Sequence, residues 1–523
     1  MQRPSAYPLL ALLPLALAGC ATSSLEMAPR RADGPWVPAT TANGAIIPGE
    51  TTTTKSAAQS ETEANPKTNG QAGYALPANA TLASVPAPPD IDHDHAYSLA
   101  ELIDIAQSNN SLTRIAWDTA REAALAAGIA RSTYLPNLTA SVVAGHQSSH
   151  NNRSVLGFDV NGETTANGTV SALSLRWLLF DFGERSAILN AAKQASVISN
   201  IGFTATHQQV IYAVSVAYYT EAAARARVAN AERFLKNAQN VEIAAQERHT
   251  HGIGTVIEVS QAHQATAQAQ LLQVQAEGAA ADTYQALLAA MGISPLTRIK
   301  IADIPERKLP GIVPDAVEQI VADALGRRPD VLAAYATQQA SLDNVQAARA
   351  EFLPKLFVSA TGAYASGHLD LTAIPGLGQQ PSTVNLSGNQ FGLTVFAGVT
   401  VPLYDGGLRA AVLEQARAKV DKANAALAHT REEAVRQIVV AQNALRTSLS
   451  AYSASTELNA AAETTFEASL AAYRNGVGSI TDTTLAESQL LQARNAQTDT
   501  YSSTLSASAT LALAVGSLSS APQ

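Results

Sequence analysis

Phe180-Asp181-Phe182-Gly183-Glu184-Arg185 and Tyr404-Asp405-Gly406-Gly407-Leu408-Arg409 follow one plan: an aromatic residue, then an aspartate, a glycine two positions after it and an arginine four positions after it. Working outward from these stretches, the correspondence persists. Upstream, Leu135-Pro136-Asn137-Leu138 answers Leu353-Pro354-Lys355-Leu356. Downstream, His251-Gly252-Ile253-Gly254 answers Asn475-Gly476-Val477-Gly478, and Met291-Gly292 answers Val515-Gly516. Asp181 to Asp405, Gly252 to Gly476 and Gly292 to Gly516 are all separated by 224 positions (405 − 181). One offset held over so long a stretch identifies a duplicated structural unit, so any fold for this chain contains that unit twice.

Each unit opens with a helical segment, Ser98 to Tyr134 and Asp315 to Phe352. Ser98 with Glu101 three residues on reads as a capping box. Asn110 and Arg328-Pro329 mark breaks inside the segments, and each segment ends at a Leu-Pro, where proline stops the helix. Strands follow. The odd positions from Phe391 to Leu403 are apolar throughout and alternate with Gly392, Thr394, Phe396, Gly398, Thr400 and Pro402 on the even ones, and Leu173, Leu175, Trp177 and Leu179 repeat the alternation. Leu138 to Gly145 and Leu356 to Tyr364 are their weaker partners. Each unit then carries two strands of about 9 to 13 residues, the length of a tilted bilayer crossing. Polar loops, Ser148 to Asn167 and Ser366 to Asn389, are expected between them.

Long helices come next. Leu408 to Asn475 contains no glycine or proline, and Glu184 to His251 contains only Gly202. At 1.5 Å per residue each run is roughly 100 Å long. Ala434, Ile438, Ala441, Leu445 and Tyr452, and likewise Val210, Val214, Ala217, Ala224 and Val228, recur at coiled-coil spacing with mostly small side chains. The Gly-x-Gly pairs break the runs, and helices return over Val256 to Met291 and Ile480 to Val515. The glycine tips therefore lie far from the strands. Asp181 and Asp405 fall where strand ends and helix begins, a capping role.

Composition narrows the class. The net charge is −9 and charged residues make up only 15%, so no basic surface suits nucleic acid. The sole cysteine, Cys20, rules out disulfides within the chain. It ends a leader: Arg3, the apolar run Leu9 to Leu17, then Leu17-Ala18-Gly19-Cys20. Residues 1–19 read as a lipoprotein signal peptide resembling a bacterial lipobox, with Cys20 the lipidated first residue. Residues 20–96, rich in Ala, Thr, Ser and Pro, read as a tether. The repeats then occupy 97–300 and 301–517, with a tail over 518–523. Asp92-His93-Asp94-His95 has a metal-like composition, but a solvated loop before a helix explains it. No cofactor is implied, and no nucleophile–base set, phosphate loop or metal-ligand spacing stands out, so no catalytic or metal residues are nominated.

Four strands cannot close a membrane barrel, because open edges in lipid leave backbone groups unsatisfied. Since the smallest barrels use about eight strands, copies must pool them, two for eight or three for twelve.

The order helix, Leu-Pro, strand, strand, Asp-x-Gly, long helix, Gly-x-Gly tip and return helix, used twice, resembles the TolC outer membrane efflux family over about residues 97 to 517. Tyr473-Arg474-Asn475-Gly476-Val477-Gly478-Ser479-Ile480-Thr481-Asp482 and Val399-Thr400-Val401-Pro402-Leu403-Tyr404-Asp405-Gly406-Gly407 carry the resemblance most specifically, and the lipobox favours its lipidated, OprM-like branch. The resemblance implies an α+β membrane protein: a homotrimer with a twelve-stranded outer membrane β-barrel and a periplasmic α-barrel of long hairpins. It implies that substrate arrives from an inner-membrane pump of the RND or ABC type through a periplasmic adaptor. By position, Gly252, Gly254, Gly476 and Gly478 become adaptor-docking tips, and Glu258, Tyr473 and Asp482 a periplasmic gate. Gly478 and Leu485 depart from the best-known member, which has a gate arginine and a second ring aspartate there. Efflux is the expected function. A type I protein secretion channel, or a non-pore coiled-coil lipoprotein, is the alternative.

Overall fold

The structure, a computed structural model, describes residues 38–43, 46–51, 76, 78–83, 91–155, 158–304, 309, 317–372, 383–387 and 390–518. The leader, Cys20 and the tail beyond 518 lie outside these residues. Residues 1–88 and 89–523 are two separate units. In the first, β1 (Pro38–Thr40) pairs antiparallel with β2 (Ile46–Thr51), and Asn79 caps a single turn at Ala80–Leu82.

The second unit begins with β3 (Ala96–Tyr97), α1 (Leu99–Asn109) and α2 (Ser111–Ser132). The Ser98 N–H and Oγ–H both donate to Glu101 Oε2, holding the start of α1. Asn110 ends α1 and caps α2, accepting from the Leu112 N–H at 2.9 Å. Two strands follow, β4 (Asn137–Val155) and β5 (Phe158–Phe180), then α3 (Glu184–Thr250) and α4 (Val256–Met291). The second repeat has α5 (Val317–Leu325) and α6 (Pro329–Ala350), strands β7 (Lys355–Thr372), β8 (Thr383–Ser387) and β9 (Gln390–Thr400), then α7 (Leu408–Arg474) and α8 (Ile480–Ala514). Between the repeats, β6 (Lys300–Ile301) pairs parallel with β3.

The sheet runs β4-β5-β7-β9, antiparallel throughout, and β8 continues the β9 side of the β7 hairpin in the same register. At 19, 23 and 18 residues, β4, β5 and β7 are longer than the alternation predicts. Where they are described, the segments expected to be polar loops continue the ladders, with Asn152 opposite Asn161 and Asp370 opposite Asn385. A ladder needs only backbone N–H and C=O groups, so it outlasts the apolar pattern that announces it. Leu138, Val142, Leu173, Leu393, Val395 and Val399 form an uncovered apolar face on this sheet.

The helices α3 and α7 have 67 residues each, their return helices 36 and 35. A return helix thus covers only about half of its partner, and α2 or α6 takes over toward the strands. Leu102, Ile103 and Ala106 of α1 meet Val210, Ile211 and Val214 of α3 and Leu287, Leu288 and Met291 of α4, the largest core cluster. His93 and His95 serve this region: one ring nitrogen is 2.7 Å from the Arg298 carbonyl, the other 2.9 Å from Glu101. No metal-binding group of His, Cys, Asp and Glu occurs among the described residues. No helix there is long and apolar enough to cross a membrane.

Candidate functional site

Both long helices end in the same turn, far along the chain from the sheet. After α3, the Gly252 N–H donates to the His249 carbonyl, and the Ile253 and Gly254 N–H groups to the Arg248 carbonyl, each at 3.0 Å. After α7, Gly476 bonds Tyr473, and Val477 and Gly478 bond Ala472, at 3.0 to 3.1 Å. Gly252 and Gly476 have φ of 75° and 79°, the left-handed region where a side chain is strained. Gly254 and Gly478 are needed for space, since a Cβ at either would lie 3.0 Å from the preceding turn. The return helices are capped alike, Thr255 Oγ accepting from the Glu258 N–H and Ser479 Oγ from the Asp482 N–H. These four glycines therefore build two matching tips, which expose Ile253 (67%) and Val477 (83%).

Beneath the tips the structure brings together two of the three gate candidates. Tyr473 is buried, and its Oη–H lies 3.5 Å from Glu258 Oε2 on the other hairpin. Burial pushes the phenol above its ordinary pKa, with the Glu258 carboxylate adding to the effect, so Tyr473 remains a neutral donor. Asp482 is elsewhere. It accepts from the Ser479 Oγ–H at 2.7 Å in the first turn of α8 and is exposed, with no bond to the Tyr473 cluster. Glu258 and Asp482 are the same position in the two repeats.

Arg248 is the residue that sequence reasoning missed. Its Nη1 donates to the Tyr473 carbonyl at 3.1 Å, its guanidinium lies 5.0 Å from the centre of the Tyr473 ring, and its Nε is 4.0 Å from Glu258 Oε2. A Cβ on Gly476 would sit 3.2 Å from the same guanidinium. One cation thus ties the two hairpin ends together. The available signal was a broken repeat, since the matching position is Ala472.

One turn beyond Asp482, Glu487 is 1% exposed, and its Oε1 has no hydrogen-bond partner. Burial alone pushes its carboxyl up to about 8, so it is largely protonated at neutral pH.

This architecture of a duplicated unit, a shared four-stranded sheet and two long hairpins defines a class of membrane channel proteins. The family model described as outer membrane efflux protein matches residues 102–293 and 320–517, one stretch in each repeat, and the chain belongs to that family. It is accordingly an outer membrane efflux channel with a large periplasmic portion, and not an enzyme. Protein CyaE of Bordetella pertussis is 29% identical over 428 residues, covering 81% of this chain and 84% of that one. The pyoverdine export outer membrane protein OpmQ of Pseudomonas aeruginosa is 29% identical over 248 residues, 46% of this chain and 50% of that one. The solved structure of the outer membrane protein VceC from Vibrio cholerae shares the fold, with a TM-score of 0.65 at 21% identity over 80% of this chain and 96% of that one.

Proposed function

We propose that the chain works as a homotrimer, the exit duct of a tripartite efflux assembly, with a twelve-stranded barrel in the outer membrane. It takes substrate from an inner-membrane pump of the RND or ABC type through a periplasmic adaptor that docks on the hairpin tips. Cys20, as a lipidated residue, adds an acyl anchor in the outer-membrane lipid. The observation that carries this reading is the pair of matched tips, each presenting an exposed apolar residue at the end farthest from the sheet. Names such as pyoverdine export and multidrug resistance among the relatives support small-molecule efflux over protein secretion. Arg248, Tyr473 and Glu258 are proposed as the gate cluster, with Asp482 contributing charge at the same end.

Val477 tests docking better than the glycines do, because it is exposed and a side chain at Gly476 would be strained. Val477→Glu places a carboxylate in the proposed apolar contact without touching the turn. Cells relying on this variant should approach the drug susceptibility of a deletion strain, while the purified variant keeps the parent's oligomeric mass in detergent. Unchanged susceptibility would rule out docking through this tip.

A further inference from the structure

The sheet has two faces of different chemistry. Residues directly opposite across the ladders share a face. Leu138, Leu175, Ala360 and Val395 therefore form one row of the uncovered apolar face, and Ala140, Leu173, Gly362 and Leu393 the next. The rows between them belong to the other face: Thr139, Ser174, Thr361 and Thr394, then Ser141, Ala172, Ala363 and Gly392. Ser174 Oγ and Thr361 Oγ1 lie 3.5 Å apart on it. In the proposed barrel the apolar face meets lipid, and this face of small and polar side chains lines the lumen.

The lumen face changes character toward the helices. Its next row is Asn137, Arg176, Ser359 and Phe396, and in the row after that Phe357 stands opposite Gly398. Among the described residues of this face, Phe357 and Phe396 are the aromatic side chains. They are diagonal neighbours on β7 and β9. Gly398 leaves room for the Phe357 ring, since a Cβ there would sit 2.8 Å from the Phe357 Cζ. Phe396 has no such cover and is 54% exposed. A phenyl ring turned toward water gains nothing from the hydrophobic effect.

The duplication shows that the strands do not need these rings in order to pair. The offset of 224 (405 − 181) carries Phe396 onto Ala172, and the offset of 218 between the Leu-Pro stretches (353 − 135) carries Phe357 onto Thr139. Ala172 and Thr139 lie on the same face and in regular ladders. The first repeat thus builds its half of the sheet with small residues where the second has two phenyl rings.

We propose that Phe396, with Phe357 beside it, is a substrate-contact shelf in the lumen at the helix end of the barrel, and that its ligands are solutes bearing planar aromatic rings. Each copy contributes one shelf, so the duct carries a ring of them where substrate passes from the helices to the strands. Aromatic pairs attract through their faces and edges whatever the rest of the solute carries. One exposed ring on an open wall also holds a solute weakly enough to release it, as conduction requires. The inference gives the duct a substrate class and rests on the barrel reading above.

Single channels in planar bilayers test it, with probes added on the barrel side so that they reach the strands without passing the hairpin tips. Two planar aryl porphyrins, one anionic and one cationic, separate ring contact from charge. α-Cyclodextrin, a bulky solute with no aromatic ring, is the control. Both porphyrins should interrupt the current of the parent. Phe396→Ser should shorten those interruptions about two- to tenfold, the worth of one aromatic contact, and Phe396→Trp should keep them long. Interruptions by α-cyclodextrin should be the same in parent and variants. Porphyrin interruptions unchanged in Phe396→Ser, or shortened for one charge alone, overturn the shelf. So does an equal change with α-cyclodextrin, which would make residue 396 a matter of width. Loss of the parent's oligomeric mass in Phe396→Ser overturns it too, since the ring then serves packing. A parent that opens no channel overturns the barrel reading, and the inference falls with it.

Discussion

At the first strand-to-helix junction the Arg185 and Asp181 side chains are 8% and 7% exposed; at the second, Arg409 and Asp405 are 29% and 22% exposed. The local bonds are the same. Each aspartate accepts from the N–H groups two and four residues on and pairs with the arginine. Only Arg185 goes further, donating to the Thr133 and Leu178 carbonyls and lying 4.7 Å from the centre of the Tyr134 ring. Burial raises the Asp181 carboxyl and the Arg185 bonds more than reverse it, whereas Asp405 is lowered chiefly by the Arg409 backbone N–H. The strand feeding the first junction is interior and the one feeding the second is an edge. One motif thus builds one local geometry, and its neighbours decide what that geometry contributes to stability.

The widest separation is expected from removing the two arginines. Arg185→Ala leaves a buried carboxylate without its counter-charge and takes the guanidinium donor from the Thr133, Leu178 and Leu179 carbonyls, and should cost about 3–5 kcal/mol. Arg409→Ala removes a more solvated pair and should lower stability far less than Arg185→Ala in the dissociated chain. Urea unfolding of both variants under dissociating conditions reads the difference directly, and equal midpoints would erase the contrast.

Glu487 is next. Its position in the first repeat is His263, which is exposed and bonds Glu242 at 2.9 Å, so the two hairpins differ here as well. Because folding raises the Glu487 pKa from 4.5 to about 8, the native state holds the extra proton between those values. Stability from this group is therefore full below pH 4.5, falls as pH rises and is lost above pH 8. Glu487→Gln should flatten that slope and be more stable than the parent by a few kcal/mol at pH 9, with little difference at pH 4. A parallel pH dependence in the two proteins would show that the carboxyl is solvated in the assembled state.

Arg248 sharpens the comparison at the tips, since the second repeat has only Ala472 to match it. Arg248→Ala should raise single-channel conductance in planar bilayers, with Tyr473→Phe giving a smaller rise because its bond is long, 3.5 Å. Conductance unchanged in both would mean that the cluster holds the hairpins together without narrowing the pore. The smallest effect is expected for Asp482→Ala. Copies of this exposed carboxylate near one end favour cations in a low-dielectric throat, so its loss should lower cation selectivity most visibly at low salt. Identical reversal potentials in a salt gradient would place Asp482 away from the constriction.

What was legible in the residues shares one property. The breaks at Asn110 and Arg328, the turns at Gly252 and Gly476, and the aspartates opening α3 and α7 are all set within a few residues by sterics or a single hydrogen bond. The less legible features depend on distant chain. β3 and β6 are two residues each and pair across 204 positions of chain (300 − 96), so neither carries a pattern of its own. The polar extensions of β4 and β5 pair through backbone groups that no side-chain alternation reports. Arg248 reads as one more charge near a helix end until the second hairpin places Tyr473 under it.

The sequence by itself determined the duplicated plan, the membrane-length strands, the long hairpins and their glycine tips, because periodicity and left-handed backbone are local constraints. Only the tertiary structure decided which repeated residue is buried. Asp181 and Asp405, Glu258 and Asp482, and Glu487 and His263 occupy matching positions, yet burial differs within each pair, and it is burial that keeps Glu487 largely protonated. Burial comes from the chain packed alongside, and desolvation is a property of neighbours that a repeat does not carry with it.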